Sequence, residues 1–215
     1  MQGSFAARML SWPMRKVDEH RRRTYRQFLD DHDLLTGLIV HARLLEEARA
    51  ILAKPFEAPW PLALHRVRFS PLGGPGEAID EAAHDALIVA FAERLAGVAG
   101  ADHRVARIDG RDFIIAQKIR MPEEMGAFAS EILETTGISY RIERQTFDVA
   151  INIGSAIAPV HGQSIERLSK SADLALQQSV ILGRNANSVF ELWMEAADAV
   201  GQRPISPPSS RRAAS

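Results

Sequence analysis

Cysteine is absent from the sequence, which excludes a disulfide framework and a thiolate zinc centre and suits a reducing compartment. Long apolar runs are absent too. The greasiest stretch, Ala86 to Ala92, falls far short of the ~20 residues that span a bilayer. Residues 1–14 lack the continuous apolar stretch and small-residue cleavage site of a secretion signal. Neither sign of charge dominates: 26 Lys and Arg stand against 27 Asp and Glu, so no global field draws the chain to nucleic acid. A cytoplasmic location with no nucleic-acid partner is the expectation. No Gly-Lys-Ser/Thr follows the breaker cluster Pro71-Leu72-Gly73-Gly74-Pro75-Gly76, so that segment reads as a loop and not as a phosphate-binding P-loop.

What is present is the composition of one ordinary globular domain with tails: 215 residues, 46% hydrophobic and 25% charged. Residues 15–32 place Arg21, Arg22, Arg23 and Arg26 beside Val17, Tyr25, Phe28 and Leu29 at helical spacing, a basic amphipathic helix. Its plainest reading is a solvated face; its other reading is a weak peripheral contact with an anionic membrane or a partner.

The spacing of Leu38, Ala42, Leu45, Ala48, Ile51 and Leu52 predicts a helix, and Leu62 to Phe69 a strand. Asp80 to Val98 is the clearest helix, with Asp80 and Glu81 at its positive end. Strands over Arg104 to Ile108 and Phe113 to Gln117 flank Asp109-Gly110, which predicts a tight type I′ turn. A helix over Pro122 to Thr135, a strand pair over Ser139 to Ile157, a helix over Ser164 to Leu182 and a strand over Ser188 to Leu192 follow. This order predicts an α+β fold with a mostly antiparallel five-stranded sheet and its helices on one side. The expected organisation is an N-terminal segment over 1–32, one domain over 33–195 and a disordered Pro/Ser/Arg-rich tail over 196–215.

Four separated motifs resemble, in order, those of the GGDEF family of diguanylate cyclases. They are Asp33-Leu34-Leu35-Thr36-Gly37-Leu38; Ala106-Arg107-Ile108 with Asp109-Gly110-Arg111-Asp112-Phe113; Ile151-Asn152-Ile153-Gly154-Ser155-Ala156 with Pro159-Val160-His161-Gly162; and Ala172-Asp173-Leu174-Ala175-Leu176 with Gly183-Arg184-Asn185. The resemblance implies a nucleotidyl-cyclase, palm-like domain flanked by helices. In active members it implies joining two GTP into cyclic di-GMP, with divalent ions held by carboxylates.

The chemistry implied by the resemblance is incompletely spelt. Counted back from Phe69, the Asp-x-Asp-x-Phe strand motif puts His65 and Val67 where the metal-binding acids belong. In the hairpin, Arg111 takes the place of the second metal-binding acid; a guanidinium repels magnesium. Asp112 keeps a shortened acid at the fourth position, Asp109 replaces a glycine, and Gly110 and Phe113 remain. Asp85 falls where the family reads guanine, Gly76 stands for that site's Asn, and Val180 for its phosphate-contacting Lys; Arg184 keeps the Arg of Gly-Arg-Asn. The product-binding Arg-x-x-Asp register falls on Gly100 and His103, with Asp102 displaced.

The expectation is a catalytically inactive GGDEF-type protein with vestigial nucleotide-binding positions Asp85, Gly110, Asp112 and Arg184, no metal ligands, and a homodimer or another signalling protein as partner. The alternatives are a GTP-binding sensor without turnover, and a residual cyclase, which alone would require magnesium.

Overall fold

The computed structural model describes residues 29–53, 62–72, 80–199 and 201. The basic segment with Arg21, Arg22, Arg23 and Arg26, the glycines of 73–76 and the chain from 202 onward lie outside the described residues.

Residues 29–31 are helical and lead into the loop of the first motif. There the Asp33 carboxylate accepts from the Thr36 amide at 2.9 Å and from its hydroxyl at 2.7 Å, and Gly37 takes φ +71°, which lets the chain reverse. The elements are then β1 (Ile39–Val40), α1 (His41–Leu52), β2 (Ala63–Pro71), α2 (Glu81–Ala99), β3 (Arg104–Asp109), β4 (Asp112–Gln117), α3 (Glu123–Thr136), β5 (Tyr140–Ile142), β6 (Gln145–Phe147), β7 (Val149–Ile157), α4 (Ile165–Leu182), β8 (Ala186–Val189) and α5 (Leu192–Ala199).

The central sheet has six strands in the order β1-β3-β4-β2-β7-β8. Its inner pairings are antiparallel and its two edge pairings parallel. The α+β architecture stands, with one strand more than expected. The extra strand is β1, taken from the start of the predicted first helix, because β-branched Ile39 and Val40 pair with Ala106 and Arg107 of β3. The predicted strand pair over 139–157 divides into the β5-β6 hairpin and the long, wholly buried β7. Glu143, with φ +52°, sits at the corner of that hairpin; a Glu-Arg corner carries no turn signal in the sequence. At the other end, the last strand stops at Val189, and α5 carries residues 196–199 that the sequence assigned to the tail.

Helices cover both faces of the sheet, not one. On β2, Val67 and Phe69 point to one face and Leu64, with Leu62 just before the strand, to the other, as the two-residue period requires. The first face meets α2 and α3 through Phe91, Leu95, Phe128 and Ile132, with the Phe69 and Phe91 rings stacked at 4.4 Å. The second meets α1 and α4 through Leu44, Ala48, Ala172 and Ala175. Asp80 caps α2 by accepting from the Ala83 amide at 2.7 Å, and Ser164 caps α4 through the Arg167 amide at 3.2 Å.

Candidate functional site

The β3-β4 hairpin turns on Gly110 and Arg111, one residue later than expected. Asp109 pairs with Asp112 across it, and Ile108 is bulged out of the ladder. Only Gly110 takes a positive φ, +41°, so the glycine occupies the first central position of the turn, the type II′ arrangement and not the predicted I′. Two hydrogen bonds hold the turn to the body of the protein. Arg107 Nε donates to the Gly110 carbonyl at 3.1 Å, and the Phe69 amide donates to the Arg111 carbonyl at 3.2 Å. Phe113 is fully buried beside Phe69 and Phe91, which fixes the hairpin register: a one-residue slip would expel it.

From the turn, one row of residues crosses the sheet on the α1/α4 face. Asp112 of β4 stands opposite Arg68 of β2, which stands opposite Asn152 of β7. Arg68 grips Asp112 with both ends of its guanidinium, Nε to Oδ1 at 2.7 Å and Nη2 to Oδ2 at 3.0 Å. Asn152 donates through Nδ2 to the carbonyls of Ser179, at 2.8 Å, and Gly183, at 2.7 Å, and so ties the C-terminal end of α4 to the row. Two residues along β2, Arg66 pairs with Asp173 of α4 at 2.7 Å. Burial raises the Asp173 carboxyl above the usual range against the opposing pull of Arg66 and His41, while burial and Arg66 lower His41. Gly154 makes this seam possible, because a Cβ there would collide with the backbone of Ala172 and Leu176.

A family model, "Diguanylate cyclase, GGDEF domain", matches residues 31–186, most of the chain, from the first loop to the start of β8. The chain belongs to the GGDEF family. Among curated relatives it is 30% identical over 112 residues to the bifunctional diguanylate cyclase/cyclic di-GMP phosphodiesterase MucR of Pseudomonas aeruginosa, a match covering 52% of this chain and 16% of MucR. The chain thus spans a small part of the curated relatives it matches. Among solved structures, the isolated GGDEF domain of TpbB (YfiN) from P. aeruginosa superposes with a TM-score of 0.69 at 22% identity, covering 78% of this chain and 99% of that one. The diguanylate cyclase SiaD of P. aeruginosa, solved in complex with its activator SiaC, gives 0.67 at 16% identity, covering 80% of this chain and 67% of that one.

Within this GGDEF domain, the side chain beside the hairpin acid is Arg68, not the expected His65 or Val67. Position 65 lies three residues further along β2, about 10 Å away, and faces the opposite side of the sheet. Val67 is fully buried in the α2/α3 core. His65 is also fully buried, its Nδ1 2.9 Å from Ser155 Oγ, its Nε2 2.9 Å from Gln117 Oε1, and its ring edge-on to Phe128. Burial drives its pKa down to about 4, so the ring is neutral and serves as a packed polar link.

The residues present do not fit the divalent ions that the family's chemistry uses. Magnesium needs several oxygen donors in octahedral array. The hairpin offers Asp112, both of whose oxygens are engaged by Arg68, and the exposed Asp109 opposite it, with cationic Arg111 between them in the turn. Among the described residues no three His, Asp or Glu side chains stand close enough to hold an ion.

The other expected positions are dispersed. Gly110 and Asp112 share the hairpin. Arg184 is exposed and follows Gly183, whose carbonyl Asn152 holds at the far end of the same row. Asp85 is half-exposed on α2, which covers the other face of the sheet. Val180 is exposed on α4. Gly100 caps α2 with φ +62°, Asp102 is exposed, and His103 packs edge-on to Phe128. Sequence reasoning missed Arg68, Arg66 and Asn152. Arg68 adjoins Phe69, the residue used as anchor, but only the β2-β4 register shows that it lies opposite Asp112.

Proposed function

We propose that the chain is a catalytically inactive GGDEF-type protein that works through protein contacts in bacterial cyclic di-GMP signalling, in the cytoplasm. The observation that carries this reading is the Arg68–Asp112 pair: the hairpin acid is neutralised by a guanidinium where the family's chemistry calls for a carboxylate and an ion. Intact packing beneath an altered site favours a scaffold retained for binding. The diguanylate cyclase SiaD, solved in complex with its activator SiaC, is a precedent for a protein partner.

A second reading, a GTP sensor without turnover, is favoured by Arg184, exposed just beyond the end of α4 and open to a phosphate from solvent. Calorimetry with GTP and magnesium separates the two: heat at micromolar nucleotide selects the sensor, and none leaves the adaptor.

The adaptor reading is tested by complementing a deletion strain with Asp112→Asn. If the protein works without catalysis, the folded variant restores the cyclic di-GMP phenotype as well as the natural chain does. Loss of complementation by a folded Asp112→Asn protein would sink the proposal.

A further inference from the structure

The family's ions neutralise carboxylates; in this chain the neutralising charge is covalently attached. The register sets Asp109 directly opposite Asp112, two like charges that would repel one another on neighbouring strands. Arg68 meets Asp112 from the other side with two hydrogen bonds, the planar fork matching both carboxylate oxygens. Arg66, two residues away on the same face, is mostly buried, is engaged by Asp173 and adds a second fixed positive charge to the strand.

The geometry points to Arg68 as a built-in substitute for the divalent cation. It supplies the counter-charge that Asp112 requires, fills the coordination space of both its oxygens, and so holds the hairpin without an ion and excludes one. This rests on the reading of the chain as non-catalytic and adds a strand residue, separate from the altered hairpin, to what keeps an ion out. Removing Arg68 therefore uncovers two adjacent carboxylates and makes the domain responsive to divalent ions.

The test uses the full chain, Mn2+ and Mg2+, with free Mn2+ read by electron paramagnetic resonance and folding read as the melting temperature. The natural chain leaves the free Mn2+ signal unchanged and melts at the same temperature in EDTA and in magnesium. Arg68→Ala and Arg68→Asp melt lower in EDTA and deplete free Mn2+, and their melting temperature rises by about 4 °C once the ion exceeds its Kd about tenfold. Adding Asp112→Asn to either removes the response. The charge swap Arg68→Asp with Asp112→Arg melts close to the natural chain and ignores the metal. Should Arg68→Asp not fold in EDTA, recovery in magnesium is the same positive result, and Arg68→Ala is read independently.

The inference is overturned if the natural chain binds Mn2+ through Asp112, or if neither Arg68 variant gains a metal response. Cyclic di-GMP formation by the natural chain is measured separately and contradicts the functional reading. An inactive natural chain whose Arg68 variants ignore metal contradicts only the inference drawn from Arg68.

Discussion

Arg107 binds Asp33 and, with the same guanidinium, the turn that gives the family its signature. Its Nη1 lies 3.3 and 3.4 Å from the two Asp33 oxygens while Nε donates to the Gly110 carbonyl, so one side chain joins the loop that follows the first helical residues to the hairpin. Burial pushes the Asp33 carboxyl up, but hydrogen bonds from Thr36 and the charge and hydrogen bond of Arg107 outweigh it and leave the group below the usual carboxylate range. The first loop is therefore joined to the hairpin by a mostly buried ion pair and not only through the backbone.

Arg107→Ala should destabilise the domain by about 2 kcal/mol, since it leaves Asp33 and the Gly110 carbonyl without this partner. Denaturant titration reads the loss, and amide exchange at Thr36 and Gly37 should quicken with it. An unchanged midpoint would mean that the bridge is not coupled to folding.

Acid should weaken the fold through His65. Its folded pKa, about 4, lies below the ordinary value of 6.5, so the unfolded chain binds the proton more readily. The stability that depends on a neutral ring is present above pH 6.5 and is lost progressively as pH falls towards 4. At pH 5 this one group accounts for about 2 kcal/mol. Comparing stability between pH 8 and pH 5 for the natural chain and for His65→Asn checks the point: the natural chain should show the steeper acid loss, and parallel curves would refute the assignment.

Gly154→Ala should cost at least about 2 kcal/mol, because the added methyl meets the α4 backbone, which cannot turn aside as a side chain would. Thermal melting measures it. A neutral substitution would show that α4 rides more loosely on β7 than the structure has it.

Periodicity and turn residues carried most of the fold. Leu87, Phe91 and Leu95 mark α2, and the alternation of Leu62, Leu64, Val67 and Phe69 comes from the two faces of β2. What escaped were features set by pairing. Ile39 and Val40 continue a helical pattern on paper and become a strand only because β3 offers them an edge. Coverage of both faces was hidden because helices over 41–52 and 165–182 look no different in sequence from those over 81–99 and 123–136. The site was legible as a set of missing acids, yet Arg68, which stands opposite Asp112, was passed over for His65 and Val67. A cross-strand neighbour is fixed by register, which a gap of uncertain length between the motifs conceals.

Repairing the hairpin alone should not create a cyclase. Arg111→Glu, even combined with Asp109→Gly, leaves Arg68 on Asp112 and no acid on β2. The repaired protein should form no cyclic di-GMP above background in a chromatographic assay; measurable product would mean that the hairpin was the sole defect.

The most direct measurement is turnover by the purified chain, incubated with GTP and either Mg2+ or Mn2+ at high protein concentration, with cyclic di-GMP followed by mass spectrometry. The account predicts none in either metal. Product that appears with metal, disappears with EDTA and is lost in Asp112→Asn would contradict it.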